Sequence, residues 1–289
     1  MSVRVQMGSR VGAFLLVAAV AAAVGTEVAA QEDLPGVELG LFYANTYLPA
    51  LAVQPFTGTF GGDALAPQVE AIVGRDLRNS DRFEVLDSLP GAMVGPRVDY
   101  ALWDRLGAVW LVTGQVEGAG DGFLLNLELH DVVYGEVREQ GRFRVPNPSD
   151  EDFRMAVHRA SDEIVRWATG DPGMAASRIA FTMTDNAGNK DVYVIDSDGE
   201  NLRRVTRYDN LTESPTWSPD GQRLVFASWK TGVARIYEID RFGNNERMLP
   251  PVRGAGDYIT PTYHPNGRTI AFSVLGSSSQ SGVFTYNLA

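Results

Sequence analysis

Apolar residues at Val69, Ile72, Val73 and Leu77 keep the i, i+3, i+4, i+8 spacing of one helical face. Pro67 suits the first turn of that helix, where a missing N–H costs little. Short apolar runs flank it and read as strands: PALAVQPF (49–56), RFEVLD (82–87) and AVWLVTGQVEG (108–118). DYALWDRLG (99–107) predicts a brief helix ending at Gly107. Gly120-Asp121-Gly122 predicts a hairpin into FLLNLELHDVV (123–133), where Phe123, Leu125, Leu127 and Leu129 alternate, and Tyr134-Gly135 turns the chain into EVREQGRFRV (136–145). A longer helix follows, with Ser149 and Asp152 as a capping box and a face through Met155, Ala156, Ala160, Ile164 and Trp167. Gly170 and Pro172 stop it. Residues 31–172 therefore read as a small α/β domain. None of its glycines forms G-x-G-x-x-G between a strand and a helix, so no dinucleotide fingerprint is present.

From residue 173 the helical period disappears and a repeat replaces it. SRIAFTM (177–183), QRLVFAS (222–228) and RTIAFSV (268–274) superimpose, with Phe181, Phe226 and Phe272 spaced by 45 and 46 residues. VYVID (192–196), IYEID (236–240) and VFTYN (283–287) superimpose as well, and SPTWSPDG (214–221) matches TPTYHPNG (260–267). A period near 45 with four short strands per unit predicts propeller blades. Pro-Asp-Gly and Pro-Asn-Gly supply the turn between the first two strands of a unit. The unit that starts at 177 opens on its second strand, and residues 177–289 hold about 2.5 units, fewer than the roughly 4–8 blades of a ring. The pattern thus predicts an incomplete propeller over 173–289 and a C-terminally truncated piece of a longer protein.

Charge and composition narrow the function. The net charge of −11 disfavours nucleic acid and anionic membrane surfaces as partners. The absence of cysteine excludes disulfides, thiol catalysis and zinc–thiolate sites. Arg4 and Arg10 precede the uncharged run VGAFLLVAAVAAAVG (11–25), and Val28-Ala29-Ala30 places small residues where a signal peptidase reads. About 15 apolar residues fall short of the roughly 20 that span a bilayer. Residues 1–30 are expected to be a signal peptide, with an exported chain from Gln31 and no membrane insertion after cleavage.

A signal peptide, an α/β domain containing DLRNSDRFEVLD (76–87), the helix HRASDEIVRWATG (158–170) and blades with SPTWSPDG occur here in one order. That order resembles the TolB family of the Tol-Pal envelope system of Gram-negative bacteria. The resemblance implies a six-bladed propeller, of which this chain carries about 2.5 blades, and a non-catalytic periplasmic scaffold with no cofactor. It also implies two partners: the peptidoglycan-associated lipoprotein Pal on one propeller face and the inner-membrane protein TolA at the mature N-terminus, here QEDLPGVELGLFYANTY (31–47), which departs from the family's short charged start. The Pal face is formed in the family by loops leading into the inner strands. Here these are YDNLTE (208–213) and GAGDYIT (254–260), which marks Thr212, Glu213, Asp257, Tyr258 and Thr260, with Tyr258 the expected aromatic anchor.

Residue types that could carry chemistry have structural readings. His130, His158 and His264 are far apart in sequence, and His264 stands at a turn position that Ser218 fills in the preceding unit. DSDGEN (196–201) lacks the later acidic ligands of a calcium loop and reads as a hairpin turn, as does DRFGNN (240–245). GSSSQSG (276–282) lacks the spacing of a nucleophile elbow. Glu151 and Asp152 are read as first-turn carboxylates facing a helix dipole, and Trp103, Trp110 and Trp167 as core. A second reading stays open: the propeller part of a secreted prolyl-oligopeptidase-type hydrolase with its catalytic domain beyond residue 289.

Overall fold

In the computed structural model, which describes residues 47–86, 97–249, 256–276 and 281–288, the first apolar run forms β1 (Ala50–Val53). It pairs in parallel with β3 (Glu84–Leu86) on one side and β4 (Trp110–Ala119) on the other. A short β2 (Thr57–Thr59) also runs parallel to β4, and β4, β5 (Gly122–Asp131) and β6 (Glu136–Pro146) form an antiparallel meander. The sheet order is β3-β1-β4-β5-β6.

Helices α1 (Ala66–Asn79) and α3 (Phe153–Thr169) cover one face of this sheet. The predicted stripe is the one that packs: Val69, Ile72, Val73 and Leu77 join Leu125, Leu127, Leu129 and Ile164 in one core. Gly114 lies under the Phe56 ring, where a Cβ would come within 2.6 Å, so only glycine fits at that crossing. On the other face α2 (Tyr100–Arg105) buries Trp103 against Ala52, Leu111 and Val132. Trp110 and Trp167 are partly buried against the main core.

The start of α3 differs from the capping box expected at Ser149. The helix begins at Phe153, Asp152 makes no side-chain cap, and Ser149 Oγ donates to Asn147 Oδ1 instead (3.1 Å). The Asp152 carboxylate accepts from Arg178 (2.9 Å) and Arg241 (3.1 and 3.2 Å). Bonds to two guanidiniums are stronger than one neutral N–H cap, so the ion pairs take the side chain. Glu151 likewise pairs with Arg203 (3.3 Å) rather than facing its own helix dipole.

Three antiparallel sheets follow: β7 (Arg178–Thr184), β8 (Lys190–Asp196) and β9 (Arg203–Arg204); then β10 (Thr212–Trp217), β11 (Arg223–Ser228), β12 (Arg235–Asp240) and β13 (Arg247–Met248); then β14 (Asp257–Tyr263), β15 (Thr269–Leu275) and β16 (Gly282–Asn287). They are successive blades of a partial propeller whose sheets do not close into a ring. Phe226, Leu224, Tyr237 and Ile239 pack on Val192, Val194 and Val205 of the first sheet. Val225, Ala227 and Ile236 pack on Tyr258, Ile270 and Phe272 of the third.

The predicted turns hold these strands in register. Ser218 N–H bonds Arg223 O (2.9 Å), and Gly221 takes a positive φ of 66°. In the next unit His264 Nδ1 accepts from Asn266 N–H (3.1 Å), a turn role for that histidine, and Gly267 has φ 68°. The expected signal peptide and all but Tyr47 of the segment 31–47 lie outside the described residues. Among the described residues no helix is long and apolar enough to cross a membrane.

Candidate partner-binding surface

The five residues marked in the sequence fall on two neighbouring inner strands, β10 and β14. Thr216 Oγ1 donates to Pro261 O (2.9 Å) and ties the strands side by side. Each strand carries a bulge just inside its start, between Glu213 and Thr216 and between Ile259 and Thr262. Ser214 (φ 55°) and Thr260 (φ 49°) sit in those bulges with left-handed backbones, each followed by proline. For a β-branched residue such as Thr260 that conformation is strained, and neighbouring packing must hold it. The bulges re-aim the strand starts and expose Ser214 and Thr260.

The five side chains divide by depth. Glu213 is partly exposed and pairs with Lys190 Nζ (2.6 Å), and Asp257 Oδ1 accepts from Ala234 N–H (2.8 Å). Thr260 is exposed and its Oγ1 donates to Ser273 Oγ (3.1 Å). Thr212 is fully buried, with Oγ1 donating to Ser228 Oγ (3.2 Å). Tyr258 is 2% exposed, 5.5 Å from the Phe272 ring, and covered by the Arg235 guanidinium at 4.8 Å. Glu213, Asp257 and Thr260 therefore form the accessible rim, and Thr212 and Tyr258 support it from beneath. Lys190 and Ser214 belong to the same rim. The serine was legible in the repeated Ser/Thr-Pro-Thr pattern, whereas the lysine lies on another strand and is brought in by the fold.

At the other end of the strands an ionic seam joins the α/β part to the blades. Beyond the Asp152 and Glu151 pairs, Asp198 of the β8–β9 turn meets Arg75 (3.0 Å) and Arg154, with His158 Nε2 at 3.4 Å. Arg178 Nε also holds Asp196 (3.0 Å). The donor atoms of His158, Asp196 and Asp198 lie within 4.8 Å of one another, but Arg75, Arg154 and Arg178 already neutralise the two carboxylates.

The seam and the second blade hold several carboxyls below their ordinary range. Hydrogen bonds from Arg241 lower Asp152. Burial pushes Asp198 upward, but bonds from Arg154 and the Glu200 N–H outweigh it. Burial likewise opposes, and the Arg247 and Tyr263 bonds overcome it, at Glu238, which is buried among Arg223, Arg247 and Tyr263. A carboxyl depressed in the folded state stabilises above its unfolded pKa of about 4, and the gain disappears as pH falls through the lower folded value. The urea midpoint is accordingly expected to fall steeply below about pH 4. A midpoint unchanged between pH 5 and pH 3 would contradict the role given to these pairs.

Comparison with known proteins fits this architecture. The family model for the TolB amino-terminal domain matches residues 43–137, and that for the TolB beta propeller domain matches residues 167–289. The chain belongs to the TolB family. The Tol-Pal system protein TolB of Albidiferax ferrireducens is 33% identical over 212 residues, covering 73% of this chain and 48% of that protein. The TolB of Anaeromyxobacter dehalogenans strain 2CP-1 is 31% identical over 267 residues, covering 90% and 59%. The crystal structure of TolB from Acinetobacter baumannii superimposes with a TM-score of 0.70 at 25% identity, covering 84% of this chain and 59% of that one. The chain thus spans about half the length of the curated relatives it matches. A TolB amino-terminal domain ahead of the blades places the repeat in a TolB context.

Proposed function

We propose that this TolB-family chain acts as a non-catalytic scaffold of the Tol-Pal system in the periplasm, exported by residues 1–30 and built from an α/β domain over 31–172 and propeller blades over 173–289. It binds the lipoprotein Pal through the inner-strand rim around Glu213, Asp257 and Thr260, and TolA through residues 31–47. By joining the two partners it contributes to outer-membrane integrity and to invagination during division. The observation that supports this best is the pair of bulged inner-strand starts: two repeats place strained, exposed polar residues at one end of the blades, in a family named for the Tol-Pal system.

Glu213→Lys in the full-length protein is expected to weaken binding of purified soluble Pal about tenfold in calorimetry, because it reverses the rim charge and repels Lys190. Its thermal midpoint should stay near that of the wild type. Tyr258→Ala should instead lower that midpoint, since the ring is packed under the rim rather than in it. Undiminished Pal affinity in the Glu213 variant would remove this rim from the site.

A further inference from the structure

The end of the blades that faces the α/β domain has a repeat of its own. Ser197, Arg241 and Leu288 hold equivalent places in successive blades, since their N–H groups bond Ser177 O (3.0 Å), Gln222 O (2.9 Å) and Arg268 O (2.8 Å). By the same register Arg178 on β7 matches Arg223 on β11, and Arg203 on β9 matches Arg247 on β13. Trp217 matches Tyr263. Two notches therefore share one frame, the first between the first and second blades, the second between the second and third.

The first notch is filled from the α/β domain. Glu151 pairs with Arg203, and Asp152 pairs with Arg178 and Arg241. Met155 lines the space of about 220 Å3 that remains beside Trp217. The second notch is a cavity of about 510 Å3, and among the described residues only the blades line it.

The arginines of the second notch are held from behind. Glu238 is 1% exposed and stands where the first blade has Val194. Its Oε2 accepts from Arg223 Nη1 (2.9 Å) and Arg247 Nε (2.5 Å), and its Oε1 from Tyr263 Oη (2.8 Å). A guanidinium has five N–H donors and no acceptor. Each of these two gives one N–H to Glu238 and is about half exposed, so the remaining donors are open to the notch. An occupant must accept hydrogen bonds, and two fixed guanidiniums suit a carboxylate. Asp220 borders the notch, held by Ser218 Oγ (2.5 Å) and the Gln222 N–H (3.0 Å), and its charge disfavours a dianion such as phosphate. Pro219, Pro265 and Leu288 add an apolar flank.

We infer that the second notch docks an acidic peptide segment of a partner protein, with one carboxylate on Arg223 and Arg247 and a neighbouring apolar side chain on the flank. The precedent is internal: Glu151, Asp152 and Met155 fill the first notch in the same way. The inference rests on this repeat and stands apart from the rim reading.

The probe is a capped, fluorescent peptide of residues 147–157, NPSDEDFRMAV, carrying a benzophenone at position 153. It is expected to bind the full-length protein and to crosslink within residues 263–268 or at Leu288. Crosslinks confined to residues 176–178 would mean exchange at the first notch and would overturn the inference. By fluorescence anisotropy, Arg223→Gln or Arg247→Gln should weaken binding about tenfold, as should amides in place of the peptide's Glu151 and Asp152 carboxylates. Glu238→Gln keeps the shape and frees both guanidiniums, so it should tighten binding by about threefold or more. If the arginine variants do not fold, the Glu238 variant and the amide peptide decide. Unchanged affinity in either, or displacement by inorganic phosphate at an ionic strength where chloride has no effect, would overturn the peptide site.

Discussion

Phe226→Ala is expected to cost about 3–5 kcal/mol, the range for removing a fully buried phenylalanine ring. Phe226 is 0% exposed and packs with Tyr237 in a stacked pair 6.0 Å apart, with Tyr208 6.2 Å away on a neighbouring segment. Its ring belongs to the layer formed with Val192, Val194 and Val205, so its loss opens a cavity between two blades as well as within one. The repeat supplies an internal control. Phe181 holds the same position one unit earlier but is only partly buried, and it stacks on Tyr193 at 6.0 Å. Phe181→Ala should cost clearly less. Urea denaturation of the two variants checks this, and equal losses would mean that the interblade layer does not carry the difference.

The Phe repeat shows why the blades were legible in sequence. Strand alternation and Pro-Asp-Gly or Pro-Asn-Gly turns are local, and a spacing of 45 and 46 residues writes the same local instructions again. The helical face of α1 was legible for the same reason: Val69, Ile72, Val73 and Leu77 are neighbours along one helix and need no tertiary information. Contacts between distant segments were less legible. Asp152 resembles an N-terminal helix carboxylate until Arg178 and Arg241 arrive from the blades. Tyr258 resembles a surface anchor until Arg235 and Phe272 cover it. The rim of the candidate site was half visible, through the repeated Ser/Thr-Pro-Thr starts, while the depth of each side chain depended on the neighbouring blade. The seam did leave one trace in the sequence. An aspartate at 198 where the next repeat has Phe242 is a departure from the repeat at a turn, and such departures mark positions that answer to something outside the blade.

Asp198→Ala should therefore be the most damaging change at the seam, costing about 3–5 kcal/mol as expected when one partner of a buried charge network is removed. The side chain of Asp198 is 2% exposed, and its loss strands the fully buried His158 and the mostly buried Arg154 facing each other without the anion between them. Arg75, partly exposed, can turn to water, so the penalty falls on the other two. Asp198→Asn preserves the shape and removes only the charge. It should recover less than half of the loss if electrostatics dominate, and nearly all of it if the side chain merely fills space. Phe242→Ala, the same turn position in the next blade, removes cation–π contacts worth about 1 kcal/mol and calibrates what the position is worth without a charge network. Urea midpoints for the three variants at pH 7 separate these cases. A loss at Asp198→Ala no larger than at Phe242→Ala would show that the α/β helices are held to the blades by the Asp152, Arg178 and Arg241 pairs instead.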